Sequence, residues 1–76
     1  MSRLPAVSGR RVMRTLERAG FVLARVKGSH HVMEHRDDPA RTTTVPVHGS
    51  KTLRKGTLSS ILKQAGLTLE EFVALL

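Results

Sequence analysis

Four histidines, His30, His31, His35 and His48, fall between residues 30 and 48 of a 76-residue chain. Imidazole titrates near neutrality, so each can take or give a proton at physiological pH. Three uses compete for them. A closed metal site would need nearly every histidine plus a carboxylate, because the chain has no cysteine; we expect no metal and no cofactor. Surface histidines on a solvated sheet face are the plain reading for at least two of the four. Acid–base catalysis is the third use, and it raises the question of which reaction suits a lone imidazole.

RNA carries its own nucleophile. A base need only take the 2′-hydroxyl proton while cations steady the charge on phosphorus and an acid assists the departing 5′-oxygen. Two-metal hydrolysis needs clustered carboxylates instead. The acidic residues are Glu17, Glu34, Asp37, Asp38, Glu70 and Glu71, and only the pair Asp37-Asp38 is spaced as part of a metal cradle. Metal-free RNA scission therefore fits better than two-metal DNA hydrolysis. Lys27-Gly28-Ser29-His30 is the best candidate site: glycine lets a backbone approach a phosphate, serine and main-chain N–H groups can donate to it, and lysine adds charge. A tight turn followed by a surface histidine accounts for the same four residues. Gly49-Ser50-Lys51 and Lys55-Gly56-Thr57 are read the same two ways, as phosphate cradles or as simple turns.

Charge favours a polyanionic partner. The chain has 13 Lys and Arg against 6 Asp and Glu, a net charge of +7. Residues 1–36 carry +6 of this, residues 37–56 carry +2 and residues 57–76 carry −1. Charge gathered in one half makes a field that attracts nucleic acid most often, and an acidic membrane or protein less often. Apolar residues are 39% of the chain, enough for one folded core, and roughly 60% of the surface of a chain this short is buried on folding. We expect a single domain over 1–76, too small for a dinucleotide fold or a TIM barrel. Residues 1–8 contain no apolar signal segment and no stretch suits a membrane span, so we expect a cytoplasmic protein with no membrane partner.

These residues must be positioned by short elements. Ser8 can cap a helix with Val12, Met13, Leu16 and Ala19 on one face and Arg10, Arg11, Arg14, Glu17 and Arg18 on the other; Gly20 ends it in the left-handed conformation. Strands are predicted over Phe21–Val26, His30–His35 and Thr42–His48, separated by the Lys27-Gly28-Ser29 turn and a polar turn at Arg36–Arg41. In the third, Val45 and Val47 share one face, while Thr42, Thr44, Pro46 and His48 share the other. Pro46 lacks a donor, which places that strand at a sheet edge. After a basic loop over Gly49–Gly56, Thr57 can cap a helix burying Leu58, Ile61, Leu62 and Ala65 before Gly66. Thr68 and Glu71 then form a capping box, and Leu67 and Phe72 a hydrophobic staple, for a short last helix. The result is an α+β fold, a three-stranded antiparallel meander with helices on one face. Alternation leaves two arrangements of the middle strand open: Val32 inward with His30 and Glu34, or Met33 inward with His31 and His35.

The pattern as a whole resembles the HicA family of bacterial and archaeal toxins, small mRNA interferases of toxin–antitoxin modules. The resemblance runs from Leu16-Glu17-Arg18-Ala19-Gly20-Phe21 through Gly28-Ser29-His30-His31 and Val45-Pro46-Val47-His48-Gly49 to Gly56-Thr57-Leu58-Ser59-Ser60-Ile61-Leu62-Lys63-Gln64-Ala65-Gly66-Leu67-Thr68. The chain's length is that of a whole family member. The resemblance implies a fold like the double-stranded-RNA-binding domain, α-β-β-β-α, here with a short extra C-terminal helix. It also implies ribosome-independent mRNA cleavage that inhibits translation, with the single catalytic histidine directly after Gly28-Ser29, which is His30. The implied partner is a HicB-type antitoxin that covers the site, with promoter DNA bound only through the toxin–antitoxin complex.

We therefore expect a metal-independent endoribonuclease in which His30 is general acid or base. Gly28 and Ser29 would position a phosphate, and Lys27, Lys51, Arg54 and Lys55 would bind RNA by charge. A non-catalytic double-stranded-RNA-binding module is the alternative, and a protein-only interaction domain a third. With only Phe21 and Phe72 as aromatic residues, recognition is expected to follow the backbone rather than stacked bases.

Overall fold

The computed structural model describes residues 3–76, so Met1 and Ser2 of the single domain expected over 1–76 lie outside the described residues. Helix α1 spans Gly9–Arg18, and the Arg11 N–H donates to Ser8 Oγ at 3.2 Å, the expected cap. Val12 and Leu16 are fully buried, while Arg10, Arg11, Arg14, Glu17 and Arg18 are exposed along the opposite face. Thr15 is also buried, and its hydroxyl donates to the Arg11 carbonyl at 2.8 Å. Gly20 takes the left-handed conformation at φ +96° and turns the chain into the sheet.

The strands β1 (Phe21–Lys27), β2 (His30–His35) and β3 (Thr42–Pro46) form an antiparallel sheet in the order β1-β2-β3. Of the two arrangements of β2, the structure takes the second. Met33 is fully buried opposite Thr43, and His31 faces Val45 on the same side. His30, Val32 and Glu34 consequently lie on the outer face. On β1 a bulge at Ala24 shifts the pairing between Leu23 and Arg25. The extra residue changes the parity, so Phe21, Leu23 and Val26 all pair with residues of the helix-covered face, and Arg25 and Lys27 with residues of the outer one.

The third strand is shorter than expected, ending at Pro46 rather than His48. Val47 still donates to the Ser29 carbonyl at 2.8 Å, and the chain then turns where Lys51 N–H donates to the His48 carbonyl at 3.0 Å. As an edge strand, β3 accommodates Pro46 without losing a ladder donor.

Helix α2 spans Lys55–Ala65 and α3 spans Leu69–Leu75. Thr57 does not cap α2. Arg54 is the N-cap, with no side-chain hydrogen bond, and Leu58 N–H donates to the Arg54 carbonyl at 3.0 Å. The helix begins two residues ahead of Thr57 in spite of the entropic cost of Gly56 in its first turn. The capping box of α3 forms as expected: Thr68 N–H donates to Glu71 Oε1 at 2.8 Å and Glu71 N–H to Thr68 Oγ1 at 3.1 Å. Leu58, Ile61, Leu62, Ala65 and Phe72 complete the core.

Polar ties fix the layers. Arg41 Nε donates to the Ala65 carbonyl at 2.7 Å at the end of α2, with its guanidinium carbon 5.4 Å from the centroid of the Phe21 ring. Thr43 Oγ1 donates to Gln64 Oε1 at 2.7 Å, joining β3 to α2. Leu53 N–H donates to the Val7 carbonyl at 2.8 Å, which ties the basic loop to the segment ahead of α1. A Cβ at Gly9 would overlap the Pro46 carbonyl oxygen, so the start of α1 lies directly on β3.

Two pairs of measurements check these packing claims. Gly9→Ala should lower stability by about 1–3 kcal/mol through overpacking. Gly56→Ala, where a Cβ meets nothing within 4 Å, should raise it by about 0.4–1 kcal/mol by restricting the unfolded chain. Urea denaturation of both variants reads the opposite signs. The hydrogen bonds from Thr68 N–H and Thr68 hydroxyl hold the Glu71 carboxyl below its usual value of 4.5. A lowered folded-state value means stability fully present above the ordinary carboxyl range and lost as pH falls through it. Acid unfolding followed by circular dichroism should show a smaller loss in that range for Glu71→Gln, which keeps the cap but cannot titrate.

Candidate active site

Gly28 and Ser29 form the turn between β1 and β2, and the first cross-strand pair below it is Lys27 with His30. Gly28 sits at φ +59°, a backbone conformation that side chains disfavour, and the space around it is open. The Ser29 carbonyl accepts two hydrogen bonds, from Val47 N–H at 2.8 Å and from the His31 ring at 3.1 Å. The turn is therefore held to β3 on one side and to its own strand on the other.

The pleat divides the four histidines. His30 is exposed on the outer face, in one cross-strand row with Lys27 and Pro46. His31 is half-buried on the helix-covered face and lines a shallow cavity of about 270 Å³ with Arg10, Met13, Arg14, Glu17 and Val47. His35 lies on that same covered face at the other end of β2. It meets the Phe21 ring edge-on at 5.1 Å, and its Nδ1 accepts from Asp37 N–H at 3.1 Å, a structural role. His48 is exposed and shares a second cavity, of about 230 Å³, with Pro46, Lys51, Arg54 and Thr57.

The expected site residues thus fall into two adjoining groups. Lys27, Gly28, Ser29 and His30 come together at the turn. Lys51 and Arg54 gather beside His48 in the cavity that touches the His30 row through Pro46. Lys55 is exposed on the first turn of α2 and does not line that cavity. Among the described residues no three His, Cys, Asp or Glu side chains converge to hold a metal ion, and Asp37-Asp38 stays a turn pair.

Sequence reasoning left His48 and the Arg10–Arg14–His31 cavity unassigned. The signal for the first was the two-residue period that groups His48 with Pro46. The signal for the second was the four-residue spacing of Arg10 and Arg14 on α1. Among the described residues no helix is long and apolar enough to cross a membrane.

Chemically, the outer end of the sheet presents imidazole beside ammonium and guanidinium groups over an accessible backbone turn. Such a surface can bind a phosphodiester and move a proton at it. The covered face differs, because a carbonyl acceptor fixes the His31 ring with its proton on Nδ1. Nitrogen-15 NMR of the imidazoles at neutral pH should show the Nδ1–H tautomer for His31, and the more usual Nε2–H form would contradict this placement.

The family model for the HicA toxin of bacterial toxin–antitoxin matches residues 9–67, from the first residue of α1 to just past the end of α2. No curated protein matches the chain. The match spans the turn, the whole sheet and the basic loop, so the elements that build the outer-face site are the family's own, and the chain belongs to the HicA toxin family.

Proposed function

We propose that this toxin is an endoribonuclease, a single domain over 1–76 that cleaves mRNA without a metal ion and without the ribosome, and so inhibits translation. The observation that carries the proposal is the exposure of His30 on the outer face, paired with Lys27 across an open glycine turn. As general acid or base, His30 exchanges a proton with the scissile linkage. The 2′-oxygen loses its proton and bonds to phosphorus, the bond from phosphorus to the 5′-oxygen breaks, and a proton goes to that oxygen. The products are a 2′,3′-cyclic phosphate and a 5′-hydroxyl.

The turn backbone of Gly28 and Ser29 positions the phosphate, while Lys27, Lys51, Arg54 and Lys55 bind neighbouring phosphates. Family membership makes an antitoxin the natural partner. We take it to be of the HicB type, covering the outer face, with promoter DNA bound only by the complex.

Cleavage of a single-stranded RNA in EDTA, with native protein and His30→Ala in parallel, tests the reaction. Native protein should cut, and the variant should lose about 10²–10⁴-fold in rate while remaining folded. RNA bound by native protein without any product would favour a double-stranded-RNA-binding module instead. Each of Lys51→Ala and Arg54→Ala should weaken RNA binding and lower the slope of log affinity against log salt by about 0.7; an unchanged slope removes that residue from the interface.

A further inference from the structure

A proton taken from the 2′-hydroxyl and a proton given to the 5′-oxygen are two transfers on opposite sides of one phosphorus, and efficient cleavage calls for a group at each. His31, although next in sequence, cannot be the second group at the His30 site. It lies on the covered face, its ring bound to the Ser29 carbonyl, with the sheet between it and His30.

His48 is differently placed. The ladder pairs His30 with Pro46, and Val47 N–H to the Ser29 carbonyl carries that register one step beyond the strand. One further step puts His48 level with Gly28. Pro46 and His48 line one cavity and Val47 lines another, which groups His48 with Pro46 and apart from Val47. Carried on at the spacing of a pleated ladder, that register would set His48 diagonal to His30, about 7–8 Å away. The residue opposite His48 is glycine, and the space over it is open.

We propose that His48 is a second catalytic residue, the proton-transfer partner of His30, with the scissile phosphate seated between them over Gly28. One imidazole accepts the 2′-hydroxyl proton as the 2′-oxygen bonds to phosphorus. The other donates its proton to the 5′-oxygen as that bond breaks, so protons and charge balance without an outside reactant. The charged groups on the outer face around the pair are Lys27 and Arg25 from β1, Lys51 and Arg54 from the loop before α2, and Glu34 farther along β2. The inference rests on the endoribonuclease reading and is separable from it.

The test uses the full chain, native and with His30→Ala or His48→Ala, each checked for folding by its amide NMR spectrum. Single-turnover cleavage is measured on an RNA whose cut site has been mapped with native protein, and affinity is measured on the 2′-O-methyl form of the same RNA. The expected result is a loss of about 10²–10⁴-fold in the cleavage rate for His48→Ala, with affinity unchanged. Replacing the 5′-bridging oxygen at the cut site by sulfur supplies a leaving group that needs no proton. On that RNA one of the two variants should regain the native rate and the other should not, which assigns acid and base.

His48→Ala cutting as fast as native protein, with His30→Ala inactive, would overturn the role of His48 and leave the nuclease reading intact. A loss confined to affinity would also overturn it, making His48 a phosphate contact. Cleavage that survives in both variants would overturn the His30 reading together with this one.

Discussion

Burial of Met33 decides which way every side chain of β2 points. Its side chain has no accessible surface and lies opposite Thr43 on the helix-covered face. Removing such a side chain from water stabilises the fold by about 1.5–3 kcal/mol, and the two-residue period of a strand transmits that preference along β2. A slip of one residue would expose Met33 and exchange His30 for His31 at the open face. The position of the candidate catalytic imidazole is thus a consequence of core packing three residues away.

The neighbouring elements keep that choice consistent. The bulge at Ala24 lets β1 place Phe21 in the core and still present Lys27 on the outer face beside His30. Gly9 allows the start of α1 to lie on the Pro46 carbonyl, and the Leu53–Val7 hydrogen bond holds the loop that carries Lys51 and Arg54. Rigid parts therefore surround a site whose own groups are exposed. The covered face uses its histidines differently: His35 packs on Phe21 at one end of β2 and His31 is tethered to the turn at the other.

Much of this was legible in the residues. The apolar spacing of α1, the Ser8 and Thr68 caps, the three strands and the edge position dictated by Pro46 all rest on local rules, and local interactions formed them. The start of α2 was not legible, because a helix needs no capping side chain and Thr57 only offered one. The inward set of β2 was not legible either. Val32 and Met33 are both apolar, and only the long-range fit against Thr43 and Val45 chooses between them. The bulge on β1 belongs to the same class, since it depends on pairing with β2. The grouping of His48 with Pro46, Lys51 and Arg54 around one cavity depends on the fold of the basic loop, which strand periodicity does not fix.

The central claim is that RNA meets the outer face at the turn, beside the exposed His30 and His48. The most direct measurement is the NMR spectrum of the histidine ring protons during titration with an uncleavable 2′-O-methyl RNA at low salt. The account predicts that His30 and His48 shift strongly while His31 and His35 hold still. Shifts centred on His31, on the side of the Arg10 and Arg14 cavity, would place the RNA on the opposite face and contradict it.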